Sequence, residues 1–248
     1  MNINESFAKL AVSFTGIDGG NPNSSVWFSG IEWGGNAVPE ISEPRFTFQN
    51  GDGQLIPCWN DEFRRTYPDY LQYQFDQKVA KVLFHLFGDQ NGCENYRQYM
   101  EQFLYTPNGH SFKLNLYPLN AADTDGERWT NAYYELTGLP TKALYWSWCA
   151  ENRFPFLSRL VSTYNPKVII GIGTMSRRDY MLAFAAPSDI FSNNERIIIA
   201  DSSLYVEHIQ TNNSRTHLLI VPFFGRGKGC INSNKQLANL AQIIRGML

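Results

Sequence analysis

The stretch Val26-Trp27-Phe28-Ser29-Gly30-Ile31-Glu32-Trp33-Gly34-Gly35 decides how this chain is read. A short apolar run that stops at turn residues has the pattern of a buried strand. The glycines at its end let the backbone turn sharply and come close to a ligand. A carboxylate at that place can orient or deprotonate water, or bind a metal. The alternative is a tight turn with a solvated glutamate.

Three further segments resemble the first: residues 112–117, 167–172 and 217–223, with the first strand at 25–31. Helical patterns separate them. Residues 70–87 place Leu71, Phe75, Val79, Leu83 and Leu86 on one stripe. Further helices are expected at 94–104, 156–164 and 176–184, and a last one after an N-cap at Ser233. Strands joined by long helical crossovers imply a parallel sheet covered on both faces. Residues 196–200 and 204–209 read as a hairpin inserted before the last strand. Residues 36–69 show no period, and an irregular stretch of that length is more often functional than not. The expectation is therefore one α/β domain spanning residues 1–248, with ligands bound at the carboxyl ends of the strands.

Composition narrows the classes. The 248 residues are 43% apolar and 18% charged, which suits a folded domain rather than a disordered chain. A net charge of −2 offers no global attraction to nucleic acid, although a local basic patch remains compatible with it. The 15% aromatic content suits both a core and flat ligands such as bases. Cys58, Cys93, Cys149 and Cys230 are scattered without a C-x-x-C pair, which argues against a zinc ribbon. Reduced thiols in a cytoplasm are expected, with no membrane partner and no signal segment. His85, His110, His208 and His217 have no ligand spacing, so neither a metal nor another cofactor is expected.

Three more strand ends carry candidate chemistry. In Lys113-Leu114-Asn115-Leu116-Tyr117-Pro118, an asparagine near the end of a buried strand needs partners for its amide. Donor and acceptor on one side chain can match a nucleobase edge, or can tie down a neighbouring loop. Gly171-Ile172-Gly173-Thr174-Met175-Ser176 lacks the third glycine of a dinucleotide turn, so close strand–helix packing is the better reading. In Pro222-Phe223-Phe224-Gly225-Arg226-Gly227-Lys228-Gly229, backbone N–H groups and two cations suit phosphates. A mobile solvated loop is the alternative.

In order along the chain, these segments resemble the uracil-DNA glycosylase superfamily. Phe28-Ser29-Gly30-Ile31-Glu32-Trp33-Gly34 is similar to its first motif, especially the G-I-N-P-G form of the mismatch-specific branch. Asn115-Leu116-Tyr117-Pro118-Leu119 is similar to the N-Y-C-P-L segment of the single-strand-selective branch. Residues 166–173 resemble the third strand, and Leu219-Ile220-Val221-Pro222-Phe223 lies where the family has H-P-S. The resemblance implies a three-layer sandwich around a four-stranded parallel sheet in the order 2-1-3-4. It implies a protein that hydrolyses the N-glycosidic bond of a damaged or modified base, with DNA or a nucleotide as partner; a monomer is expected, although the sequence does not fix the oligomeric state. Glu32 would hold the water, Asn115 would read the base edge, and Phe46 or Phe48 would stack on it. Gly30, Ile31 and Trp33 would line the pocket, while Gly225, Arg226, Gly227 and Lys228 would meet DNA phosphates. Three positions depart from the family. Glu32 stands for its Asn or Asp, Trp33 for a proline, and Val221 for the histidine that stabilises the departing base. A catalytically inactive binder of nucleotides or nucleic acid, or a hydrolase of small nucleotides or nucleosides, therefore stays open.

Overall fold

The computed structural model describes residues 3–34, 55–120, 129–185, 194–199, 202–210 and 216–248. Its sheet contains β1 (Gly19–Gly20), β2 (Val26–Gly30), β3 (Ser111–Asn115), β4 (Val168–Ile172), β5 (Asn194–Ile198), β6 (Tyr205–Gln210) and β7 (His217–Val221). The order is β1-β3-β2-β4-β7-β6-β5. The four expected strands sit side by side at the centre, and β3, β2, β4 and β7 run parallel. The expected four-stranded sheet is nevertheless too narrow and too uniform. The observed sheet is mixed and seven-stranded, because β1 adds antiparallel to β3 and the β5–β6 hairpin adds antiparallel to β7. Two glycines give no apolar pattern from which β1 could be read. The hairpin lies before the last strand, as expected, and it extends the sheet through β6.

Helices cover both faces. Gln74–Phe87, Tyr96–Gln102 and Asn234–Arg245 pack on the face that receives Val26, Phe28, Ile170 and Leu219. Glu5–Ala11, Asn131–Thr137, Lys142–Tyr164 and Arg177–Phe184 pack on the face that receives Trp27, Phe112, Ile169 and Leu218. Alternate strand residues enter opposite cores because strand side chains repeat every two residues. With the short Asp61–Thr66 helix, the helices are numbered α1 (Glu5–Ala11), α2 (Asp61–Thr66), α3 (Gln74–Phe87), α4 (Tyr96–Gln102), α5 (Asn131–Thr137), α6 (Lys142–Tyr164), α7 (Arg177–Phe184) and α8 (Asn234–Arg245). None of the described helices is long and apolar enough to cross a membrane.

Two elements differ instructively from the sequence reading. Helix α6 begins at Lys142, far before residue 156, and carries Pro155 inside it. The Thr141 side chain accepts from the Leu144 N–H to start it, and left-handed Asn165 ends it. In the stretch read as aperiodic, Asn60 caps α2, which is too short to show a helical repeat. The Ser233 N-cap forms a full capping box with Gln236.

Strand β3 is the unusual one. Its pattern Ser-Phe-Lys-Leu-Asn alternates polar and apolar, yet all five residues are buried. Lys113 lies 2.9 Å from Asp76 Oδ1 and 3.1 Å from Asp18 Oδ2, and Tyr105 donates its hydroxyl to Asp76 at 3.0 Å. Burial alone would lower the Lys113 pKa, but the two carboxylates hold it above its ordinary value. Burial raises Asp76 even against the pull of Lys113. The polar face of β3 is thus made tolerable by charges brought from α3 and from the loop before β1.

Candidate functional site

The site is built outward from Asn115, the last residue of β3, which is 2% exposed. Strand register puts it opposite Gly30 of β2. Its Nδ2 donates to the Gly16 carbonyl at 3.1 Å. That bond turns Oδ1 over Gly30, and Oδ1 accepts no hydrogen bond from the described residues. A Cβ on Gly30 would stand 2.4 Å from this oxygen and 4.0 Å from Cζ of Phe75. Gly30 is therefore a space-making glycine, and the first turn of α3 supplies an aromatic ring beside the amide.

The neighbouring strand ends continue the same wall. A Cβ on Gly173 would meet Ile31 at 3.1 Å and Phe223 at 3.9 Å. The Phe75 ring centroid lies 6.5 Å from that of Phe223 and 5.8 Å from that of Phe224. Asn115, Gly30, Ile31, Gly173, Phe75 and Phe223 thus meet where four parallel strands end. Gly171 serves another purpose, as its missing Cβ makes room for the Tyr180 ring at 2.7 Å. That agrees with the packing reading of the Gly171–Gly173 turn.

A buried guanidinium fixes Asn115 from below. Arg153, 0% exposed in the middle of α6, donates to the carbonyls of Asn115 (3.1 Å), Leu116 (2.9 Å) and Ala11 (2.6 Å). It also reaches Ser13 O at 3.4 Å. Burial lowers its pKa to about 10, so it remains a cation near neutrality. It joins the end of β3 to the segment that contains Gly16.

Gly30→Ala gives a direct test of this arrangement. The backbone at Gly30 is not left-handed, so the added methyl conflicts chiefly with the Asn115 amide. The expected result is a folded protein whose ligand affinity falls about tenfold or more, as for loss of a buried hydrogen bond. Combined with Asn115→Ala, the substitution should cost nothing further. A fully additive double mutant, measured by binding titration, would show that the two residues do not act together.

Glu32 is held in a buried ion pair. Its Oε1 lies 3.1 Å from Nζ of Lys142, and the two side chains are 7% and 4% exposed. Lys142 is the first residue of α6 and also lies 5.3 Å from the Trp146 ring centroid. Nearby, Tyr117 donates a hydrogen bond to Asp179, and burial raises the pKa of both groups. Trp33 donates its indole N–H to Asp18 at 3.0 Å, which ties it to the Lys113 network.

The loop after β7 places Gly225 part-exposed and Arg226, Gly227 and Lys228 exposed. Lys78 of α3 grips its base, donating to Gly225 O at 2.5 Å and Ile231 O at 3.1 Å. Phe223 and Phe224 join this loop to Phe75 and hence to Asn115. Phe46 and Phe48, the residues expected to stack, lie outside the described residues. Phe75 stood on the expected helical stripe but was not recognised as a wall of the site. Arg153, Lys142 and Asp18 were missed altogether, since each acts across more than a hundred residues or from an unread element. Comparison with family models, with curated proteins and with solved structures returns no match to this chain.

Proposed function

We propose that this protein takes a nucleobase into the pocket at the ends of β2, β3 and β7 and hydrolyses the bond joining it to a DNA sugar. The observation that carries the reading is Asn115. It is a buried amide whose oxygen has no partner among the described residues, directed over a glycine and beside a phenyl ring. An acceptor held there, with its amide nitrogen fixed by Gly16, has a ligand N–H as its natural complement. One Nδ2 hydrogen also remains beyond that given to Gly16. Together they match a ring N–H beside a carbonyl, the edge of a uracil-like or hypoxanthine-like base.

A base within a duplex cannot reach such a pocket, so it is extruded from the stack. Phe75 then forms the aromatic wall. Glu32, which follows β2 and is held by Lys142, orients water toward C1′ as positive charge develops on the sugar. The Asn115 N–H meets the charge on the departing base, in place of the histidine absent at Val221. Arg226 and Lys228 hold phosphates, which position the strand without reading sequence.

A second reading is favoured by the buried Glu32–Lys142 pair, which is compatible with a structural glutamate and a binder without turnover. The deciding experiment offers oligonucleotides carrying a panel of bases, and free nucleosides, to the protein and to Glu32→Gln and Asn115→Ala. The expected result is abasic product that falls about 100-fold or more in both variants, in the range of lost general-base catalysis. Binding that persists in Glu32→Gln without product from any base supports the second reading. Cleavage of free nucleosides without DNA affinity assigns a small-molecule hydrolase. Failure to bind any probe at low salt, where phosphate contacts are strongest, removes all three.

A further inference from the structure

Helix α2 carries a guanidinium that nothing described so far uses. Trp59 stacks on Phe63 at 4.8 Å and 11°, and meets Tyr70 edge-on at 5.6 Å and 82°. The next residue, Arg64, lies over the same Tyr70 ring, with Cζ 6.0 Å from its centroid. Nε and Nη2 of Arg64 are buried and have no hydrogen-bond acceptor, and neither has the buried Nε1 of Trp59. Nε and Nη2 form one edge of the guanidinium fork. Arg177 shows what that edge does when engaged, binding both oxygens of Glu207 at 2.5 and 2.7 Å. Among the described residues no carboxylate lies within ion-pair distance of Arg64. Asp61 and Glu62, on the same helix, are exposed.

We propose that Arg64 and Trp59 form an oxyanion site that takes a phosphoryl group. A guanidinium keeps its charge near neutral pH, so its orphaned edge calls for an acceptor that is also an anion. A water would meet the donors but not the charge. Arg64 offers two parallel donors, and Trp59, packed on the same Tyr70 ring, has a third without an acceptor; three donors suit a tetrahedral phosphoryl group better than a two-oxygen carboxylate. A relay of contacts links the site to the base pocket. Trp59 packs edge-on against Tyr105 at 4.8 Å and 89°, and Tyr105 holds Asp76, the neighbour of Phe75. The oxyanion site stands without the nucleobase reading. If that reading holds as well, the phosphoryl group belongs to the nucleotide whose base meets Asn115.

The test is calorimetric titration of the wild type, Arg64→Gln, Arg64→Lys and Asn115→Ala with inorganic phosphate, uridine 5′-monophosphate and uridine. Inorganic phosphate is expected to bind the wild type and Asn115→Ala alike, and about tenfold or more weaker to Arg64→Gln. Arg64→Lys should lose most of the affinity, because it keeps the charge but not the fork, and circular dichroism should show both variants folded. It also serves as the test if Arg64→Gln does not fold. Monophosphate binding that exceeds phosphate binding, and drops in Asn115→Ala, identifies a nucleotide as the source. Equal affinities identify free phosphate. Phosphate binding unchanged by either Arg64 substitution overturns the proposal, as does no binding up to about 10 mM. Uridine binding lost in Asn115→Ala reports on the base pocket alone, so the two ideas can fail separately.

Discussion

Above pH 10 the protein is expected to lose stability steeply. Tyr99, Tyr105, Tyr117, Tyr145 and Tyr180 are each at most 3% exposed, and burial raises the pKa of every one above the ordinary 10.0. The unfolded chain therefore gives up these phenolic protons first. Their contribution is fully present below pH 10 and is lost as pH rises toward the folded values. Each tyrosine removes about 1.4 kcal/mol per pH unit in that window. Arg153 opposes them by one such increment, since its folded value is lowered to about 10. The net slope is on the order of 5 kcal/mol per pH unit, against a usual total stability of about 5–15 kcal/mol. Unfolding is expected within about two units of pH 10. Tyrosinate absorbance and loss of helical ellipticity should rise together. Five phenols titrating at pH 10 with ellipticity intact would contradict the burial described for them.

Arg153→Met is expected to lower stability by about 3–5 kcal/mol, the range for removing one member of a buried, fully bonded polar cluster. Desolvating the charge is itself unfavourable, which is why its pKa is lowered. Removing it is worse, because the carbonyls of Ala11, Asn115 and Leu116 lose a charged donor where water does not replace it. For a chain of this size the midpoint of thermal unfolding should drop by about 10 °C. Arg153→Lys should recover little, since one ammonium cannot span the end of β3 and the carbonyls at 11 and 13. Because Arg153 also fixes Asn115, ligand affinity should fall in any folded fraction. A loss below about 1 kcal/mol in denaturant titration would mean that the carbonyls find other donors.

Legibility in the sequence followed the range of the forces involved. The strands β2, β4 and β7 were readable within a residue or two, because a short apolar run beside glycine or proline has few other solutions. The N-cap at Ser233 was readable for the same reason, although the capping box it forms with Gln236 was not read. Strand β3 was found although its polar alternation argues for one wet face; what keeps Lys113 buried is Asp18 and Asp76, which no local pattern reveals. The first half of α6 was missed because exposed positions and Pro155 dilute its apolar repeat. At the site, Gly30 and Asn115 were chosen from strand-end position and do face each other. Glu32 was chosen on the same ground, but the lysine that holds it starts a helix not recognised there. Phe75 was assigned to a core stripe, since a stripe does not show where the sheet beneath it ends.

Helix α6 holds Glu32 through Lys142 and the end of β3 through Arg153, about three turns further on. Three turns return a side chain to nearly the same bearing, so both anchors face the sheet together. A single residue inserted or deleted between them would swing one anchor by about 100° relative to the other. This stretch of the gene should therefore accept many codon replacements on its outward face and almost no change in length. Random indel libraries across residues 143–152 should be depleted far more strongly than substitution libraries over the same span.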